Sequence, residues 1–177
     1  MNTIRELIIL EFLARAAVIR TTGSPQAYAT DIGEKVIRAR TLSAPSEAPF
    51  LSVWPQDETG ENKNSQVLHR MPILIEGTSL FGKEAVTRGI ELVEEDHSVI
   101  SERILGDLIK AFTSPSWDRR RPVAGSSPTT YLDPYADSIV YQAGGPRATP
   151  EAAHVMVGAS ATFLVSYWTA IGDPYSQ

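Results

Sequence analysis

The sequence predicts an α+β fold in which a mixed, mainly antiparallel β-sheet with long strands is flanked by two main helices. Near the carboxyl end, Val155, Val157, Ala159, Ala161, Phe163, Val165 and Tyr167 alternate with Met156, Gly158, Ser160, Thr162, Leu164, Ser166 and Trp168. A strict period of two is the signature of a strand with one face on a core. The stretch from His69 to Phe81 repeats the pattern, with Met71, Ile73 and Ile75 set against Pro72, Leu74 and Glu76. Two other stretches space their apolar residues by three and four, as helices do. Strands and helices do not alternate strictly, so no parallel sheet is required. A fifteen-residue strand would run about 50 Å, well beyond the usual length in globular proteins. That length points to a sheet that also serves an assembly.

Taken in order, Thr3 to Ile19 places Ile4, Leu7, Ile8, Phe12, Ala16 and Ile19 on one helical face, and Thr3 with Glu6 forms a capping box. Thr21 to Glu34, with Gly23, Pro25 and Gly33, reads as a loop. Lys35 to Arg40 reads as a short strand with Arg38 and Arg40 facing solvent or a partner, and Thr41 to Pro49 breaks it. Phe50 to Trp54 is a strand between prolines. The polar stretch Gln56 to Gln66 reads as an exposed hairpin loop leading into the strand at His69. Val86, Ile90, Val93, Ile100, Ile104, Leu108 and Phe112 predict one long amphipathic helix, or two with a break near Asp96. Thr113 to Asp137 holds four prolines and should lack long regular elements. Ser138 to Gln142 is a strand, and Gly144 to Pro150 a turn into the last one. The expected organisation is a single domain over residues 1–177 with long loops at about 55–68 and 113–137.

With 177 residues, 42% hydrophobic and 21% charged, the chain has the composition of a folded soluble domain. A formal charge of -5 lacks the basic footprint of a nucleic-acid binder. No cysteine is present, which excludes disulfides, thiol nucleophiles and thiolate metal sites. Arg5, Glu6, Glu11 and Arg15 interrupt the apolar pattern at the amino end, so a signal peptide or membrane span is not expected.

Residues that could carry chemistry are sparse. A metal reading would bring His69, His97 and His154 together with Glu76 or Glu94, yet no two of them share a ligand spacing, and exposed or capping histidines fit the pattern better. The serines lack a nucleophile elbow, and the glycines form no phosphate-binding loop. Glu94, Glu95 and Asp96 point in different directions on a helix and read as a solvated face. No catalytic, cofactor or metal residue is assigned. Trp117-Asp118-Arg119-Arg120-Arg121-Pro122 is the strongest local charge feature. Its arginines would bind phosphate or a partner carboxylate, or would complement a helix dipole. Tyr131, Tyr135, Tyr141, Tyr167, Trp168 and Tyr175 gather in the carboxyl half, as sheet core or as a subunit contact.

Several of these segments together carry a resemblance. The helix Asn2 to Ile19, the Phe50 to Trp54 strand with its acidic loop, the helix end Ile104 to Phe112, Trp117 to Arg121, and the closing Tyr167-Trp168-Thr169 and Gly172-Asp173-Pro174-Tyr175 resemble those of bacteriophage tail terminators and related minor tail proteins. The resemblance implies a small α+β subunit that assembles into a six-membered homo-oligomeric ring on the head-proximal end of a long non-contractile tail. Such a ring caps the tail tube, stops its polymerisation and joins the tail to the head–tail connector protein. DNA passes through its channel without sequence-specific binding. The implied place is the virion, after assembly in the host cytoplasm, with no membrane, no cofactor and no enzymatic activity. Expected contact residues are Asp57, Glu58, Glu61 and Lys63 in the acidic loop, Trp117, Arg119, Arg120 and Arg121, and Trp168, Asp173 and Tyr175 at the carboxyl end. A head-closure or tail-completion subunit, a small metal-dependent enzyme and a ligand-binding α+β domain are the competing readings.

Overall fold

The computed structural model describes residues 2–24, 27–39, 48–80, 96–113, 135–147 and 156–176. Helix α1 spans Ile4–Ala16. Its cap is half of the expected box: the Thr3 hydroxyl accepts from Glu6 N, while the Glu6 carboxylate turns to Arg38 Nη1 at 2.7 Å. Ile4, Ile8, Ile9, Phe12 and Ala16 form its buried face. Helix α2 spans Asp96–Thr113 and buries Ile100, Ile104, Leu108, Ala111 and Phe112, the i, i+4, i+8 stripe seen in the sequence. The part of the expected long helix before Asp96 lies outside the described residues. None of the described helices is long and apolar enough to cross a membrane.

The strands are β1 (Val36–Arg38), β2 (Phe50–Pro55), β3 (Thr59–Lys63), β4 (Gln66–Leu80), β5 (Ser138–Arg147) and β6 (Met156–Ala170). They form a mixed sheet of order β1-β2-β4-β6-β5, with β3 also paired to β4. Among the described strands only β1 and β2 run parallel. The α+β expectation therefore holds, long strands included: β4 and β6 pair antiparallel along their whole fifteen-residue lengths, from Gln66↔Ala170 to Leu80↔Met156.

Three expectations are corrected. Gln56 to Gln66 is not a loop, because β3 pairs with β4 from Thr59↔Arg70 to Lys63↔Gln66 and leaves only Asn64 and Ser65 as the turn. Asn64 takes φ 57°, the left-handed value that a two-residue hairpin turn demands at its first central position and that asparagine tolerates. Polar composition hid this strand: all five β3 residues are exposed, so it has no buried face to impose alternation. Gly144 to Pro150 is likewise not a turn as far as Arg147, since β5 continues to that residue past a bulge between Tyr141 and Ala143. Its glycines and proline sit in an edge strand, where a missing donor is tolerated. Finally, the 21–34 loop carries core: Tyr28, Thr30 and Ile32 are buried, and a turn of 3₁₀ helix covers Ile32–Glu34. Of the expected irregular segment 113–137, residues 114–134 lie outside the described residues.

Both helices pack on one face of the sheet. Phe12 stacks on Phe112 at 4.7 Å between ring centroids, and Phe112 meets Phe163 of β6 at 5.1 Å, which ties α1, α2 and the sheet at one point. Around that point Met71, Ile73, Ile75, Ala161, Val165 and Tyr167 are buried. Close approach fixes the exit of α1, because a Cβ on Gly33 would lie 2.4 Å from the Ala16 carbonyl oxygen. No side chain fits there without moving backbone.

Candidate interaction surface

The register assigns sheet positions to two faces. Ile73, Ile75, Phe163 and Val165 face the helices, so Trp54, Pro72, Leu74, Leu164 and Trp168 fall on the opposite face, where they are half-buried. At one end of the sheet both faces converge on a pole built from the β3–β4 turn, the end of β6, the carboxyl tail and the first turn of α1.

The tail is bound by its own chain. Ile171 N donates to Ser65 O, Asp173 N to Ala170 O, Ala170 N to Ser176 O, and Ile4 N to Pro174 O at 3.0 Å. The last of these supplies an acceptor to one of the free N–H groups that open helix α1. Gly172 makes the reversal possible with φ 79°. The Asp173 carboxylate accepts from Ser176 Oγ at 2.7 Å and Tyr175 N at 2.9 Å. Those two hydrogen bonds, the serine's first, hold it below the ordinary carboxyl range. Asp173 thus organises a turn, and the turn holds Ile171 and Tyr175 outward, 56% and 45% exposed.

Glu58 sits beneath this pole as a junction. Its carboxylate accepts from the Tyr167 hydroxyl at 2.7 Å and meets Arg5 Nε at 3.3 Å and His69 Nδ1 at 3.4 Å. Burial first, and the Glu58 bond second, push the Tyr167 phenol above its usual range. The His69 ring stacks on Tyr167 at 4.7 Å, and its Nε2 lies 2.9 Å from Thr169 Oγ1. His69 is therefore neither an exposed nor a capping histidine, as the sequence had implied; its alternation with Met71 and Ile73 places it on the helix-side face. Loss of the Tyr167 bond in Glu58→Ala or Tyr167→Phe should cost about 1 kcal/mol. Thermal melts of both single variants and the double should show less than additive losses, since each removes the same contact.

Of the expected contact residues, Lys63, Asp173 and Tyr175 lie at this pole, Glu61 and Trp168 stand two residues into the sheet from it, and Asp57 and Glu58 are at the other end of β3. Asp57 and Glu58 lie in the β2–β3 connector, Glu61 and Lys63 on β3, Trp168 near the end of β6, and Asp173 and Tyr175 in the tail. Glu61 is paired to Lys63 at 3.5 Å and Arg70 at 3.3 Å, so this part of the surface is close to charge-neutral. Trp168 belongs to β6 opposite Leu68 and is not part of the tail. Trp117, Arg119, Arg120 and Arg121 lie outside the described residues. Ile171 was missed, although its place between a strand end and Gly172 marks it as a turn residue with an apolar side chain.

A second polar cluster serves the fold. Buried Asp107 on α2 accepts from Ala29 N, Thr30 N and Thr30 Oγ1, the last at 2.7 Å, and pins the 27–30 segment. Burial raises its carboxyl above the ordinary range against the pull of these donors and of Lys110, and burial also raises Glu11 against Arg15. An acid with a raised folded pKa keeps its proton longer in the folded chain. Stability from both groups accordingly falls as pH climbs above the unfolded carboxyl values of about 4. In Asp107→Asn the stability lost as pH rises above the unfolded carboxyl value should be smaller than in the wild type, read by thermal melts across the acid range.

Among the described residues no three His, Asp or Glu side chains stand together as a metal site. In sequence comparison the chain matches no protein-family model and no curated protein.

Proposed function

We propose that this chain is a structural subunit of a phage tail, of the tail-terminator type. Copies of it close into a six-membered ring on the head-proximal end of the tail tube, stop tube growth and offer a face to the head–tail connector. DNA crosses the channel without being read.

The observation that carries the reading beyond the resemblance is the pole. Strands of fifteen residues are longer than most sheets in single domains use. Here their far end supports a turn that is braced by its own hydrogen bonds and exposes Ile171 and Tyr175. Rigid exposed apolar and aromatic side chains with a paired-charge surround are the makeup of a contact surface, because little ordering entropy is lost on docking.

Polymerising tube protein in the presence of this chain tests the reading. Tubes should stop at shorter lengths, with the chain bound at one end in several copies; tubes of unchanged length with no bound chain would refute it. Binding to the connector without binding to tubes would reassign the chain to head closure.

A further inference from the structure

We propose that neighbouring copies join by laying helix α1 of one against the outer face of the sheet of the next. The inference rests on the ring reading for its head-to-tail arrangement and names the contact that closes the ring.

α1 is apolar on every side. Ile4, Ile8, Ile9, Phe12 and Ala16 face the core, yet the opposite side carries Leu7, Leu10, Leu13 and Ala14, followed by Ala17 at the cap. Leu10 is 43% exposed, and Ala14 one turn on is exposed as well. The four charged side chains of the helix are all engaged within the chain: Arg5 with Glu58, Glu6 with Arg38, and Arg15 with Glu11. A helix that is hydrophobic all round belongs between two layers, and the described residues supply only one.

The matching layer is on the other side of the same subunit. On the sheet face away from the helices, Val140, Leu164 and Pro72 stand in one row across β5, β6 and β4, and Leu74 and Trp54 follow in the next across β4 and β2. Val140 is 53% exposed and the others are half-buried. Four adjacent strands cover about 14 Å, and Leu7 to Ala17 covers about 15 Å along the helix axis, so stripe and patch match in length. The charges that border the patch are already matched, Arg147 with Glu76 and Arg70 with Glu61. Docking therefore takes no unpaired charge out of water.

The two surfaces look in opposite directions, because α1 packs on the inner face of the sheet through Phe12 and Phe163. A ring joins two different surfaces of the same chain, one on each side, whereas a patch that paired with its own copy would stop at two. Helix on sheet is also the packing that each surface already makes on its inner side.

Leu10→Glu and Val140→Glu test the contact from its two sides. Both positions are exposed, so both variants should melt with the wild type. Each alone should weaken self-association about tenfold or more in sedimentation. An equimolar mixture should form pairs and nothing larger, because the intact helix of the Val140→Glu chain meets the intact sheet of the Leu10→Glu chain. As a second readout in this cysteine-free chain, Leu10→Cys/Val140→Cys treated with a short bis-maleimide should give a ladder of linked copies, and either single variant none. A mixture that stays monomeric, a single glutamate variant that assembles like the wild type, or a double-cysteine variant that does not link overturns the proposal. Rings on tube ends that neither glutamate disturbs would overturn it too and leave the tail reading standing. A ladder from the double-cysteine variant beside tubes of unchanged length would sink the tail reading and uphold this contact.

Discussion

Phe163→Ala should destabilise the fold by about 3 to 5 kcal/mol, the range for removing a fully buried aromatic ring. Phe163 lies where α1, α2 and β6 meet, in contact with Phe112 at 5.1 Å, Tyr141 at 5.8 Å and Phe12 at 6.5 Å. Its loss opens a cavity that none of the three can fill without leaving its own packing. A domain of this size holds on the order of 5 to 15 kcal/mol in all, so the variant should be near its stability limit, with a melting temperature lower by roughly 10 °C or more. Phe112→Ala should approach the same loss, and the pair should be less than additive because they share a contact. Thermal or urea unfolding followed by circular dichroism reads both.

The second large effect concerns assembly and not folding. Ile171→Asp with Tyr175→Ala should reduce capture of tube ends by about 10- to 100-fold, the size expected when buried apolar anchors are removed from an interface. Both side chains are about half exposed and lie outside the core, so the melting temperature should stay within about 2 °C of the wild type. Truncation after Trp168 would be a blunter instrument. It would remove Thr169 and Ala170, which pair with Val67 and Gln66 in the sheet, and the Pro174 carbonyl that receives Ile4 N. Folding and assembly would then fail together. A binding assay on sheared tube ends, paired with a melt of each variant, separates the two roles.

Where burial is periodic, the sequence was legible. β4, β6 and the inner face of α1 could be read directly because one side of each packs against a core and the other does not. β3 could not, since all its residues are exposed and its pairing to β4 rests on backbone hydrogen bonds that no composition betrays. β5 was read short for a related reason: Gly144, Gly145 and Pro146 are turn-forming residues in isolation, and only the neighbouring β6 holds them extended. In the interaction surface, the acidic segment and the closing Gly-Asp-Pro-Tyr stood out by composition. Their convergence did not, because it depends on the β4–β6 register bringing residue 66 opposite residue 170. Nor did the sequence foretell that Glu58 faces Tyr167, Arg5 and His69, partners of its own chain, so this expected contact serves the fold.

Whether copies of this chain close a ring on a tube end is the central claim, and electron microscopy of purified protein mixed with tail tubes tests it most directly. The account predicts closed six-membered rings seated on one end of each tube, lost in the Ile171→Asp/Tyr175→Ala variant. Bare tube ends beside a well-folded, unassembled wild-type chain would contradict it.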